Sequence, residues 1–114
     1  MKYVIFTEEE TEAEIQEKGL TAPRITPEYI DSLIVDQSFT ILPSGKTGIT
    51  ELILKNGFSV RGETSVVSKE NFDIELGKKI SFAKARDKIW ELEGYLLQEK
   101  LYQQPSSTNN NLEE

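Results

Sequence analysis

The stretch from Asp73 to Gln103 contains no proline and carries apolar residues at helical spacing. At about 100° per residue, Leu76, Ile80, Ala83, Trp90, Gly94, Leu97 and Leu101 gather on one face of a helix. Phe82, Ala85, Ile89, Leu92 and Leu96 form a second flank, and Lys79, Arg86 and Glu93 lie in the gap between the two. A surface helix normally has one apolar stripe. Two stripes predict a long helix that packs on its own sheet and also on a second subunit. The charges between them leave a second reading open, a gap that holds an anionic ligand. An irregular first turn is expected near Gly77. Gly94, in mid-helix, costs about 1 kcal/mol relative to alanine and suggests a close backbone approach.

The remaining pattern predicts shorter elements. Tyr3-Val4-Ile5-Phe6 reads as a short strand, and Thr7 to Glu10 has the form of a capping box, so a helix is expected over Glu8–Lys18, ended by Gly19. Its apolar content is thin, which marks residues 1–23 as an accessory extension. Thr26 as N-cap and Pro27 at the first helical position start a short helix, about Pro27 to Val35, with Ile25 and Ile30 in staple positions. Gln37–Leu42 reads as a strand, followed by a turn at Pro43-Ser44-Gly45-Lys46. Thr50–Lys55, Asn56-Gly57 and Phe58–Glu63 read as a hairpin with a two-residue type I′ turn, which pairs Ile53 with Val60 and Leu52 with Arg61. The expected fold is therefore α+β: a short N-terminal helix, an antiparallel hairpin or small sheet, and one long C-terminal helix, in an oligomer. Residues 24–103 form the single domain. The polar stretch from Gln104 is expected to be a disordered tail spanning 104–114.

Composition narrows the function classes. With 114 residues there is room for one domain, and its modest core would gain from burial against a partner chain. No apolar run approaches a membrane span, and the acidic start does not resemble a signal peptide. Cysteine and histidine are both absent, so disulfides and thiolate chemistry are excluded, and the commonest general base and zinc ligand are missing. A cytoplasmic location fits this usage. The net charge of −7 argues against non-specific DNA binding. The acids concentrate early, at Glu8, Glu9, Glu10, Glu12, Glu14 and Glu17, whereas Lys78, Lys79, Lys84, Arg86 and Lys88 cluster with only Asp87 opposing.

No catalytic constellation stands out: the chain has no glycine-rich phosphate loop and no nucleophile elbow. No metal site and no cofactor are expected. Asp87, near the Ile80–Trp90 face, is expected to pair with Arg61 of the hairpin. Lys79, Phe82 and Arg86 lie within about 60° of one another on the helix and form one ridge. Two cations beside an aromatic ring can hold phosphates while the ring stacks on a base. The candidate ligand site is therefore bordered by Lys79, Phe82 and Arg86, with Asn71, Phe58 and Arg61 nearby. An acidic partner for Arg86 from another subunit, Glu93 above all, is the structural alternative.

Four segments carry a family resemblance: Arg24-Ile25-Thr26-Pro27-Glu28-Tyr29-Ile30, Leu54-Lys55-Asn56-Gly57-Phe58-Ser59-Val60-Arg61-Gly62-Glu63, Glu70-Asn71-Phe72-Asp73 and Lys88-Ile89-Trp90-Glu91-Leu92-Glu93-Gly94-Tyr95. In this order they resemble a family of small proteins of tailed phages and prophages, over about Ala22 to Leu101. That family in turn resembles the Thoeris anti-defence (Tad-type) sponge proteins. The resemblance implies a non-enzymatic counter-defence protein that sequesters cyclic ADP-ribose-type immune signals. It also implies a second pocket for cyclic oligonucleotides in some relatives, and a homodimer or higher symmetric oligomer. The rival readings are a non-enzymatic interaction protein that binds a host protein through its acidic surface and, less favoured, a cyclic-nucleotide hydrolase.

Overall fold

Strict alternation of side chains organises the centre of the molecule. In a computed structural model that describes residues 7–20 and 22–104, strand β2 (Thr47–Leu54) turns Gly48, Thr50, Leu52 and Leu54 inward. It lies between β1 (Ile34–Ile41) and β3 (Ser59–Ser65) in an antiparallel sheet of order β1-β2-β3. Helices α1 (Glu8–Glu17) and α2 (Pro27–Ser32) precede the sheet, and a 3-10 turn (Lys69–Asn71) leads from it into α3 (Ile74–Gln103). The fold is α+β, as the pattern predicts. The strand expected at Tyr3–Phe6 and most of the expected tail lie outside the described residues.

The caps expected for α1 and α2 form, and α3 opens on Asp73. Thr7 and Glu10 form the capping box of α1, the Thr26 hydroxyl accepts from the Tyr29 amide at 3.2 Å, and the Asp73 carboxylate accepts from the Leu76 amide at 3.0 Å to open α3. Helix α2 stops at Ser32, shorter than expected. Leu33 caps it, and Ile34 already pairs with Leu54 in the sheet. The Leu33 carbonyl accepts from the Lys55 amide at 2.9 Å, which fixes the end of α2 to the hairpin. A bulge between Ile34 and Asp36 brings β1 into register.

The β2–β3 hairpin differs from the expected one by one residue. The Leu54 amide donates to the Phe58 carbonyl at 2.8 Å, so Lys55, Asn56 and Gly57 form a three-residue loop. A type I′ turn requires positive φ at both central residues. Here Gly57 alone takes it, with φ +91°, while Asn56 accepts from the Phe58 amide through its side chain. Leu52 therefore faces Val60, and Glu51 faces Arg61. Because side chains alternate, this slip reassigns every residue of β3. Val60, Gly62 and Thr64 turn toward α3, and Arg61 turns to the outer face, where it meets Glu51 at 3.6 Å. The expected Asp87–Arg61 pair does not form, and Asp87 is exposed.

Helix α3 covers β2 and β3. Its buried stripe is Gly77, Ser81, Ala85 and Ile89, one residue every helical turn and mostly small. The first expected flank is not the inward one: Leu76 and Ile80 are exposed, and Trp90 is half-buried. Size rather than hydropathy selects the stripe, because the helix backbone comes down onto Gly62. A Cβ on Gly62 would lie 2.3 Å from the Ser81 carbonyl oxygen and 2.4 Å from the Ala85 nitrogen. Gly77 begins this stripe as a regular helical residue close to Thr64 and Phe72. Beyond Gly62, toward the hairpin tip, the separation is filled by Leu52, Leu54, Val60, Ile89 and Ile30, with Ile25, Leu33, Ile34, Phe82 and Trp90 packed around them.

Gly62→Ala should therefore lower stability by about 2–3 kcal/mol, the upper range for overpacking, because both obstructing atoms are backbone and cannot rotate aside. Urea denaturation with a midpoint equal to that of the parent protein would refute the close approach.

Candidate functional site

Strand β1 extends beyond the cover of α3, and a groove opens there. Gln37 and Phe39 lie opposite Leu52 and Thr50 and share their helix-facing side. The groove has a volume of about 510 Å³ and is lined by Gln37, Ser38, Phe39 and Thr50 from the sheet and by Lys78, Lys79 and Phe82 from α3. Its size falls in the range of small-molecule sites.

Two glycine contacts and one hydroxyl pair set this geometry. The Phe39 ring occupies the space over Gly48, where a Cβ would come within 2.4 Å of its Cζ, and Phe72 closes on the same glycine. Phe39 is thereby fixed as part of the floor. At the groove's inner edge the buried Ser81 hydroxyl donates to the Gly77 carbonyl at 2.8 Å. Its one proton is then used, so the Thr50 hydroxyl, 2.5 Å away, donates to Ser81. Thr50 and Ser81 are buried and mutually satisfied, and they join sheet to helix beneath the groove. Neither Lys78 nor Lys79 forms an ion pair with a described carboxylate. Two free ammonium groups beside two phenylalanine rings and the Gln37 amide can hold a phosphate and stack a planar base. Among the described residues no group of three or more acidic side chains could hold a metal ion, and no helix is long and apolar enough to cross a membrane.

The structure brings together only part of the sequence-derived set. Lys79 and Phe82 line the groove. Arg86 shares their ridge but is engaged elsewhere. Phe58 is exposed at the hairpin tip, and Arg61 lies on the opposite face of the sheet, beside Glu51. Asn71 ends the 3-10 turn, near Thr64, Phe72 and Gly77. Gln37, Phe39 and Thr50 were not singled out by the sequence, and Lys78 stood out only as a member of the basic cluster. The available signal was Phe39, a lone aromatic between Ser38 and Thr40 on a strand whose cross-strand neighbourhood contains Gly48.

Arg86 is a structural junction. Its Nε donates to Asp31 of α2 at 2.9 Å, one Nη to Glu8 of α1 and the other to the Pro27 carbonyl at 3.4 Å. The acidic partners come from its own chain. Glu93, the intersubunit candidate, accepts within the chain from the Tyr29 hydroxyl at 3.3 Å. Desolvation lowers the Arg86 pKa, but the hydrogen bonds to Glu8 and Asp31 outweigh it, and the net shift is upward. Its side chain is 13% exposed, against 42% for Glu8 and 60% for Asp31. Arg86→Ala should destabilise by about 1.5–3 kcal/mol, the scale of charge-assisted hydrogen bonds, rather than the larger loss of a fully buried pair. Chemical denaturation measures this directly. A change under about 0.5 kcal/mol, the ordinary range for a surface substitution, would show that the junction holds nothing together.

No curated protein and no solved structure matches this chain. A family model does match, over residues 25–101, which takes in α2, the sheet and nearly all of α3 and leaves α1 outside. On that match the chain belongs to the Phage protein (N4 Gp49/phage Sf6 gene 66) family.

Proposed function

We propose that this phage-family protein binds a cyclic nucleotide immune signal of the cyclic ADP-ribose type in the β1–α3 groove. It holds the signal without cleaving it, as a counter-defence protein in the cytoplasm of the infected host. The observation that carries this reading is the pairing of unengaged Lys78 and Lys79 with the rings of Phe39 and Phe82 around one cavity. Cations suit the phosphates and rings suit the base. The resemblance to Tad-type sponges supplies both the class of nucleotide and the expectation that it is held intact.

The test is release of intact ligand. Purified protein is incubated with a panel of cyclic nucleotides and then heat-denatured, and the released material is analysed. Intact release supports a sponge, an altered product makes the protein an enzyme, and no depletion leaves the protein-binding alternative. Lys79→Ala should weaken binding by about 1.5–3 kcal/mol, and Phe82→Ala by about 1–3 kcal/mol through lost stacking. Unchanged affinity in both folded variants would remove the groove from the site, even if another pocket sequestered nucleotide.

The same reading includes assembly as at least a homodimer. Helix α3 is about 45 Å long and continues past the sheet. Leu92, Leu96 and Leu101 are exposed there, and a Cβ on Gly94 would meet nothing within 4 Å. A second copy of the same helix would cover Leu92 and Leu96, whereas Leu101 and Gly94 lie on the opposite side of α3. Leu96→Asp should reduce the mass in light scattering to that of a single chain without lowering the content of folded protein. A single-chain mass for the unaltered protein at micromolar concentration refutes the dimer.

A further inference from the structure

Helix α1 is attached to the domain in an unusual way: none of its residues is buried. Its attachment rests on two arginine–glutamate pairs. Glu12 accepts both terminal nitrogens of Arg24, at 2.9 and 2.7 Å, and Glu8 accepts from Arg86. Between these pairs, under α1, lies a cavity of about 430 Å³ walled by Ile15, Ile25, Pro27 and Trp90. Both arginines are well shielded, at 13% and 26% side-chain exposure. The helix thus sits over an apolar cleft without filling it, and its carboxylates neutralise the cations on the cleft's margins.

We propose that α1 is a displaceable occupant of this arginine–tryptophan cleft, and that the cleft receives an acidic helix from a partner protein when α1 leaves. The complementarity is shown by α1 itself. Glutamates one turn apart, on an acidic helix with Ile15 inward, match Arg86 and Arg24 on either side of an apolar floor. The hold is weak enough to exchange. Ion pairs with solvent access stabilise weakly and are screened by salt, and a helix of this length is marginal on its own. The tether keeps α1 in place through an effective concentration on the order of millimolar, so an acidic helix with a better apolar face would outcompete it. The fold does not depend on α1: the core consists of residues from α2, the sheet and α3 together with Ile25. Arg86 retains Asp31 and the Pro27 carbonyl after α1 departs.

The chain's only tryptophan, Trp90, reports on the cleft. The full-length protein and its Glu8→Gln/Glu12→Gln variant are compared by Trp90 emission at low and high salt. Both are then titrated with a synthetic peptide of residues 7–18, and with the same peptide carrying glutamine at positions 8 and 12. The variant at low salt should show the red-shifted emission that the parent protein reaches only at about 1 M salt, where the Debye length is about 3 Å. The variant should bind the acidic peptide at least tenfold more tightly than the parent does, and the glutamine peptide at least tenfold more weakly than the acidic one. Emission that ignores both salt and substitution overturns the proposal, as does equal uptake of the two peptides or uptake that is no better in the variant. If the variant loses its cooperative melting transition, α1 is an integral part of the fold. The salt response of the parent protein then still decides, because a fixed helix leaves Trp90 unmoved.

Discussion

The approach of α3 to β3 at Gly62 is the constraint on which the rest depends. Two backbone segments meet where a single added carbon has no room, so the helix stripe above must be made of small residues. Gly77, Ser81 and Ala85 meet that need, and they contribute little hydrophobic stabilisation per residue. The larger share of apolar burial shifts to the far end of the sheet, where Ile89 meets Leu52, Leu54, Val60 and Ile30. The layer is thus pinched at one end and thick at the other.

The groove follows from that asymmetry. A helix held tightly over β3 and β2 cannot also cover β1, and the helix-facing residues of β1 are left with an open side. Phe39 partly fills it by lying over Gly48, while Gln37 and the lysines of α3 border the remaining space. The same tight approach buries Thr50 and Ser81. Two hydroxyls in such a place are tolerable only because they bond to each other and to the Gly77 carbonyl, since an unsatisfied buried polar group costs about 1–3 kcal/mol. The polar link holds the wall of the groove against its floor.

Local signals in the sequence proved reliable where the chemistry is local. Thr26 and the Thr7–Glu10 box cap helices because a side chain three residues away satisfies an open amide, and that relation can be read from spacing. The hairpin was legible as a hairpin, but its register was not. Asn-Gly suits either a two-residue or a three-residue loop, and burial of Val60 opposite Leu52 decides between them. The inward face of α3 was legible in Phe82, Ala85 and Ile89 of the second flank, but its first half was missed because Gly77 and Ser81 count as nothing in a hydropathy pattern. Their importance comes from Gly62, distant in sequence. The site was half legible for the same reason. Lys79 and Phe82 lie on one helix and could be grouped by angle, whereas Phe39 and Gln37 join them only through sheet order. Arg61 left the group because the one-residue slip turned it to the other face.

Charge distribution separates the basic residues by role. In a chain of net charge −7, carboxylates are plentiful, and a cation left without one near at hand is informative. Arg24 and Arg86 are well shielded and have intrachain glutamates or aspartates at hydrogen-bond distance. The planar guanidinium suits such fixed, multiply bonded junctions. Lys78 and Lys79 border the β1–α3 groove beside Phe39 and Phe82, and neither forms an ion pair with a described carboxylate. A pair of neighbouring ammonium groups raises its own electrostatic energy. An anion supplied from outside lowers that energy, whereas at Arg86 it would first have to displace Glu8 and Asp31. The arginines therefore organise the elements around α3, and the lysine pair is left to border the groove.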